Sequence, residues 1–300
     1  MGDPAHPFAT IAVIGRYATP GIAEPLRRLT TFLTDRGHRV LLDAETATHT
    51  PLGGYPTATA AELGRHANLA IVIGGDGTML SIARQLAPFD VPLIGINQGR
   101  LGFLTDIALA DMESALSAML GGLYVEETRT LLDARLTGPT GERERALALN
   151  DVVVNRGGLG GMIDCAVSID GRFVYAMRGD GLIVATATGS TAYALSAQGP
   201  IVEPGVPATL LVPVAPHALT NRPIAVRDAA VIEIILLRGK DASLHCDGQS
   251  DFSMAEGDCV VVRRAQHRVR LLHPQDHDYF AMLRQKLHWS ETPERLRPGD

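Results

Sequence analysis

Five consecutive residues, Gly74-Gly75-Asp76-Gly77-Thr78, join three glycines, a carboxylate and a hydroxyl directly behind the apolar run Leu69 to Ile73. A loop leaving a buried strand can aim backbone N–H groups at an anion, and glycines permit the required dihedrals and close approach of a ligand. A helix beginning near Met79 would add partial positive charge at its N-terminus, with Thr78 placed to cap it. Asp76 is the odd member, because a carboxylate repels bare phosphate. It suits contact with a hydroxyl nucleophile or a metal ion; the plainer alternative is an Asx-turn in which it bonds only its own loop. Neither a GxxxxGK[ST] loop nor a GxGxxG fingerprint is present, so any nucleotide is held by other means.

Three further polar runs follow. Gln98-Gly99-Arg100-Leu101-Gly102-Phe103 leaves a second short apolar segment, Pro92 to Ile96. Asn150-Asp151 pairs a carboxamide with a carboxylate, which can bracket a ribose diol or an amide; locally a turn and strand cap explains it better. Arg178-Gly179-Asp180-Gly181 precedes Leu182 to Thr186, and then come Thr188, Gly189, Ser190, Thr191, Ala192, Tyr193, Ala194, Leu195 and Ser196. Hydroxyls and free N–H groups bind phosphate or ribose without burying a charge, and a helix starting near Thr191 would point its N-terminus at an anion. Capping alone accounts for one of those hydroxyls. His217 and the turn His245-Cys246-Asp247-Gly248-Gln249 complete the polar set. No HxH or HExxH pattern connects the histidines, so a histidine-based metal site is not expected.

The elements that must hold these runs change character along the chain. Strand-like segments at Thr10 to Ile14, Arg39 to Leu42, Leu69 to Ile73 and Pro92 to Ile96 alternate with helical patterns at Gly21 to Arg36, Ala60 to Arg65, Met79 to Leu86 and Asp111 to Leu120. That alternation implies a mostly parallel sheet in an α/β domain over residues 1–125. Residues 126–272 instead show short β-branched runs divided by Gly, Asn and Asp, including an Asp170-Gly171 hairpin signal, and read as an all-β domain. Residues 273–300 hold one helix-like piece, Asp278 to His288, expected to pack back on the first domain. With 46% hydrophobic and 20% charged residues the chain is neither disordered nor membrane-spanning, and a net charge of -6 argues against a general nucleic-acid binder. The three cysteines form no CxxC pair, which favours reduced thiols and a cytoplasmic setting. No apolar stretch reaches the length of a membrane span.

Taken in order, these motifs resemble the NAD kinase family. The resemblance rests on Gly74 to Thr78, Gly99 to Leu104, Asn150-Asp151, Arg178 to Gly181, Thr188 to Tyr193, Pro216-His217 and Asp247-Gly248-Gln249, and covers roughly residues 10–285. It implies an enzyme that uses ATP to phosphorylate the adenosine-ribose 2′-hydroxyl of NAD, giving NADP. It implies the two-domain fold, a divalent cation such as Mg²⁺, and a homodimer or homotetramer. By resemblance Asp76 is the general base, and Asp76, Gly77, Asn150, Asp151, Arg178, Asp180, Thr191 to Ser196 and Gln249 contact the dinucleotide. Gly74, Gly75, Thr78, Gly99, Gly102, Gly189 and Ser190 belong to its phosphate-handling loops. Three positions depart from the common pattern. Asp151 stands where Glu is frequent, Ala187 replaces a proline, and Gly161 occupies a site where some bacterial relatives carry a histidine. The competing readings are a lipid or sugar kinase with a similar loop, and a non-catalytic NAD or NADP sensor.

Overall fold

The computed structural model describes residues 8–15, 21–50, 52–99, 102–158 and 161–289. They fall into two compact units, one built from the described parts of Met1–Met79, Val91–Glu127 and Leu271–Asp300, the other from Leu80–Asp90 and Thr128–Arg270. The expected division into an α/β part and an all-β part holds.

The first unit runs β1 (Thr10–Gly15), α1 (Ala23–Asp35), β2 (Arg39–Asp43), α2 (Ala44–His49), β3 (Thr57–Ala58), α3 (Ala60–His66), β4 (Leu69–Gly74), the start of α4 (Asp76–Leu86, which passes into the second unit at Leu80), β5 (Leu93–Asn97), β6 (Ile107–Ala108) and α5 (Met112–Leu120). The strands lie in the order β5-β4-β1-β2-β3, β6 adds beside β5, and every pairing among them is parallel. The register pairs Val13 with Ile71, and Ile71 with Ile94, so the β-branched residues stack row upon row. Helix α1 buries Leu26, Leu29, Phe32 and Leu33 on one stripe, and ends where Gly37 takes a left-handed φ of +82° that other residues adopt only under strain. Helix α3 starts in a reciprocal capping box between Thr59 and Glu62. Helix α2 is not foreseen by hydrophobic spacing because it buries only Thr46; the Asp43 carboxylate, accepting from Thr46 N at 2.9 Å, starts it instead.

The second unit contains β7 (Tyr124–Gly138, from Thr128 onward), β8 (Gly141–Ala148), β9 (Asp151–Asn155), β10 (Ile163–Ile169), β11 (Arg172–Gly179), β12 (Gly181–Thr186), α6 (Tyr193–Ser196), β13 (Ala208–Val214), β14 (Ile224–Arg227), β15 (Ile232–Arg238), β16 (Ala242–Cys246), β17 (Ser250–Met254) and most of β18 (Cys259–Pro274). One antiparallel layer has the order β11-β10-β15-β18 with β7 and β8 beside β18; the other has the order β14-β13-β12-β9-β16-β17. Val152, Leu182 and Leu244 from one layer interleave with Val167, Ile234 and Val260 from the other in a single core. The Asp170-Gly171 turn has φ +51° and +73°, as a tight hairpin of this kind requires. Cys165 and Cys246 belong to the same core, and burial pushes each thiol up to about 12, so both act as small apolar side chains. Returning to the first unit, Leu271 of β18 pairs with Leu93, and α7 (Tyr279–Leu287) is capped by the Asp278 carboxylate, which accepts from Phe280 N and Ala281 N. No helix among the described residues is long and apolar enough to cross a membrane.

Candidate active site

The strand order places the Gly74 loop. β1 is flanked by β2 on one side and β4 on the other, so the chain reverses its winding direction between β1 and β4. In open parallel sheets ligands settle at such a reversal, outside the carboxyl ends of the strands. The Gly74 to Thr78 loop leaves β4 at that end. Its helix begins at Asp76, three residues before the Met79 start that apolar spacing suggests. Thr78 therefore sits inside the first turn and does not cap it: its backbone N–H donates to Gly75 O at 3.0 Å, and its side chain lies over Gly74, where an added Cβ would meet Oγ1 at 2.8 Å. Gly75 is different. Its φ lies outside the left-handed region, and an added Cβ would meet no atom of the described residues within 4 Å, its chain neighbours aside. Neither conformation nor packing demands glycine there, which leaves open space over its backbone for a ligand. Gly77 is exposed.

Asp76 holds a neighbouring loop, not its own. Its Oδ2 accepts from Phe103 N at 2.9 Å, and its Oδ1 accepts from Leu104 N at 3.0 Å and from the Thr105 hydroxyl at 3.3 Å. Thr105 in turn accepts from Asn97 Nδ2 at 2.9 Å, and Asn97 Oδ1 accepts from Gly99 N at 2.6 Å. Gly102 is required by proximity, since a Cβ would fall 2.0 Å from Asp76 Oδ1. The loop after β5 is thus tied to the loop after β4 through one carboxylate. Arg100 and Leu101 lie outside the described residues.

In the second unit the organising group is Asp247. Its side chain is fully buried, its Oδ1 accepts from Asn150 N and Asp151 N, and its Oδ2 accepts from Leu149 N at 2.9 Å. Arg84 pairs with it at 2.5 Å and donates its other terminal nitrogen to Gln249 Oε1 at 2.6 Å. Asp247 itself adopts φ +53°, with Gly248 at +63°, and this turn folds the carboxylate back under the Asn150-Asp151 backbone. Burial, and then the nearby Asp247 charge, push the Asp151 carboxyl up to about 7. Gly189 packs so closely on Asn150 that a Cβ would lie 2.0 Å from Asn150 O.

The hydroxyl-rich run is folded differently from expectation. Instead of one helix starting near Thr191, a 3₁₀ turn covers Thr188–Thr191 and a four-residue helix covers Tyr193–Ser196. Its hydroxyls make internal bonds. Thr186 donates to Leu149 O at 2.6 Å, Ser190 donates to Ala187 O at 2.6 Å and accepts from Val202 N, and Thr191 donates to Thr188 O. Ala194 is buried, Thr191, Ala192 and Leu195 are half-buried, and Tyr193 and Ser196 are exposed. Arg178 is exposed at the end of β11, 3.6 Å from Asp164, while Asp180 is paired with Arg156 at 2.8 Å. Sequence reasoning alone does not single out Arg84, Thr105 or Asp247 as site residues. Asp247 had a signal, the Asp-Gly dipeptide after a strand; Arg84 is one more cation on an amphipathic helix and had none.

Comparison with known proteins settles the lineage. Residues 11–124 match the model of the ATP-NAD kinase N-terminal domain, and residues 149–273 match that of the ATP-NAD kinase C-terminal domain. An NAD kinase of Cupriavidus pinatubonensis is 53% identical over 287 residues, covering 96% of this chain and 94% of the relative. An NAD kinase of Burkholderia thailandensis is 53% identical over 288 residues, covering 96% of each. Among solved structures, an NAD kinase from Archaeoglobus fulgidus in complex with ATP aligns with TM-score 0.72 at 28% identity, over 93% of this chain and 98% of that one. Yeast NADH kinase complexed with NADH shares the fold, with TM-score 0.87 at 22% identity, over 99% and 95% of the two chains. Matched by both domain models and more than half identical to such relatives along nearly its whole length, the chain belongs to the ATP-NAD kinase family.

Proposed function

We infer that the chain transfers a phosphoryl group from ATP to the 2′-hydroxyl of the adenosine ribose of NAD, producing NADP. Beside family membership, the observation that supports this reading is the end of β4, where Gly75 leaves room over its backbone and Asp76 is fixed by three hydrogen bonds. A carboxylate offers about four acceptor positions, so one remains for an incoming hydroxyl. Asp76 accepts that hydroxyl's hydrogen bond, orients its oxygen for in-line attack and takes its proton. Phosphoryl transfer depends chiefly on alignment and charge stabilisation, so a base that is already immobilised serves orientation first. N–H groups of the Gly74 to Thr78 loop meet the phosphates. In the second unit, Asn150, Asp151, Arg178, Asp180, Thr191 to Ser196 and Gln249 are assigned to binding the dinucleotide, with Asp247 and Arg84 positioning Asn150, Asp151 and Gln249.

The divalent cation is assigned as Mg²⁺. With the remaining acceptor position on Asp76 taken by the hydroxyl, the ion would be held mainly by substrate phosphates and keep most of its waters, as Mg²⁺ does. When bound it neutralises charge on the transferring group. A homodimer or homotetramer is also proposed. Phe173 and Val174 on β11 and Ile235 and Leu237 on β15, the strands flanking β10, expose large apolar side chains suited to a second copy. Light scattering on the purified chain reads the assembly directly.

The function is tested with purified protein, MgCl₂ and NAD, supplied with ATP. NADP, detected with an NADP-specific dehydrogenase, is the expected product. Parallel reactions with NADH and with inorganic polyphosphate define acceptor and donor. No NADP or NADPH in any pairing rejects the kinase reading.

A further inference from the structure

The turn His273-Pro274-Gln275-Asp276-His277 folds two histidines over one carboxylate. His273 Nδ1 and His277 Nδ1 each lie 2.8 Å from the same oxygen, Oδ2 of Asp106. The two rings stack with centroids 4.0 Å apart and planes 21° apart. Side-chain exposure is 2% for His273, 9% for Asp106 and 12% for His277, so the group is nearly removed from solvent. The spacing is His-x-x-x-His, which also occurs in metal sites; it is neither HxH nor HExxH, and Asp106 is distant in the chain.

Hydrogen bonding within the chain leaves this group incompletely satisfied. Asp106 Oδ1 and His277 Nε2 are buried without a hydrogen-bond partner among the described residues. His273 has Asp106 on one side and Glu127 Oε2 3.3 Å from its Nε2 on the other, and a neutral ring can donate to only one of them. Charging both stacked rings would set two like charges side by side. The adjoining cavity, about 570 Å³, is lined by Asp106, Asp111 and Asp276 and, among the described residues, by no Lys or Arg. Such a cavity concentrates cations.

We propose that Asp106, His273 and His277 bind a divalent transition-metal ion of the Zn²⁺ type. Two imidazole nitrogens and a carboxylate oxygen within 4.8 Å of one another form a donor set that Zn²⁺ accepts, whereas Mg²⁺ prefers an all-oxygen shell. Metal on Nδ1 leaves the Nε2–H of His273 to donate to Glu127, a carboxylate that fixes the ring from behind. Asp106 Oδ1 becomes a second oxygen donor, and the acidic cavity supplies both the entry path and room for a bound water. The ion would tie Asp106, next in sequence to the loop that Asp76 holds, to the turn before α7. Its role is a brace within the first unit, and the proposal does not depend on the kinase reading.

The test uses the full chain without a histidine tag, stripped with a chelator and dialysed. Titration with ZnCl₂ alone, followed by calorimetry and by elemental analysis after desalting, is expected to show one ion per chain and a Tm raised by several degrees; MgCl₂ at the same concentration leaves Tm unchanged. His277→Ala and Asp106→Asn, shown to be folded by circular dichroism, weaken Zn²⁺ binding by about 100-fold or more, and Glu127→Gln by about 10- to 100-fold, the usual effect of removing a supporting partner. A wild-type chain that takes up no Zn²⁺, or folded ligand variants that bind as the wild type does, overturns the proposal. If the ligand variants do not fold, Co²⁺ on the wild type decides. Visible d–d bands of a nitrogen- and oxygen-coordinated ion support the site, and a colourless mixture or a thiolate charge-transfer band overturns it.

Discussion

Asp76 in the first unit and Asp247 in the second use the same device for different ends. Each carboxylate leaves its own element and accepts consecutive backbone N–H groups from a loop far away in sequence: Phe103 and Leu104 for Asp76, Leu149, Asn150 and Asp151 for Asp247. The surroundings differ. The Asp247 side chain is fully buried and pairs with Arg84. Asp76 is half-buried and forms no ion pair with a described residue, and its loop carries Gly75, over which there is open space. A neutralised, saturated carboxylate can only hold. A carboxylate that holds a loop and still has acceptor capacity can also act on a ligand. The contrast therefore assigns scaffolding to Asp247, and both positioning and chemistry to Asp76.

The largest expected effect breaks the contrast at Asp76. Asp76→Asn keeps an acceptor oxygen for one of the Phe103 and Leu104 N–H groups, sets its NH₂ against the other, and removes the base, so turnover should fall by about 10²- to 10⁴-fold. Tm should change by only a few degrees, and NAD affinity by a few-fold. Steady-state kinetics beside a thermal melt check it. A folded variant with near-normal turnover ends the assignment of Asp76 as base. Asp247→Ala should show the reverse order of effects. It strips the partner from Arg84, which is only 15% exposed, and orphans three N–H groups, a loss of about 3–5 kcal/mol for breaking a buried pair. Urea denaturation measures it. If both variants lose stability equally and activity equally, the two carboxylates do the same job.

The two sites were unequally legible in the sequence, and the reason lies in what fixes each. The α/β and all-β halves follow from apolar periodicity, because Leu69 to Ile73 and the β-branched runs after Tyr124 have one way to bury themselves. The Gly74 loop follows from composition, because strand, glycines and carboxylate are contiguous. What Asp76 binds does not, since Phe103 to Thr105 come near only through the parallel pairing of β4 with β5. The hydroxyls of Thr188, Ser190 and Thr191 suggest ligand contacts by type, yet their partners lie within the fold: the Arg129 guanidinium for Thr188, and carbonyls and the Val202 N–H for the other two. Arg84 and Asp247 are 163 residues apart, and neither residue type announces the other.

A subtler effect sharpens the same contrast through pH. Asp151 sits beside the Asp247 charge, and its carboxyl is raised to about 7 by burial first and that charge second. Unfolded, it ionises near the ordinary carboxylate value. The folded state therefore holds the proton longer, and its stability falls as pH rises from about 4 to about 7, then levels off. Asp151→Asn removes the penalty. It should gain up to about 4 kcal/mol over the wild type at pH 8 and only about 1 kcal/mol at pH 4.5, as read by urea melts at both values. An equal gain at both pH values would show that Asp151 is not ionising against Asp247.

The smallest expected effect concerns Gly75, and it isolates the ligand from the fold. At Gly102 an added methyl must collide with Asp76 Oδ1, 2.0 Å away, so Gly102→Ala should disturb the clamp and lower stability and turnover together. At Gly75 the same methyl meets no atom of the described residues within 4 Å, its chain neighbours aside, and strains no left-handed backbone. The helix that starts one residue later should be unaffected, so Gly75→Ala should melt as the wild type does, within about 0.5 kcal/mol. If the space over Gly75 belongs to a phosphate, the methyl keeps that phosphate off the backbone N–H groups. KM for ATP should then rise by about tenfold, the value of roughly one hydrogen bond to a charged group, with little change in KM for NAD. Unchanged kinetics for both substrates would leave Gly75 with no role in phosphate binding, and the loop's interest would rest on Asp76 alone.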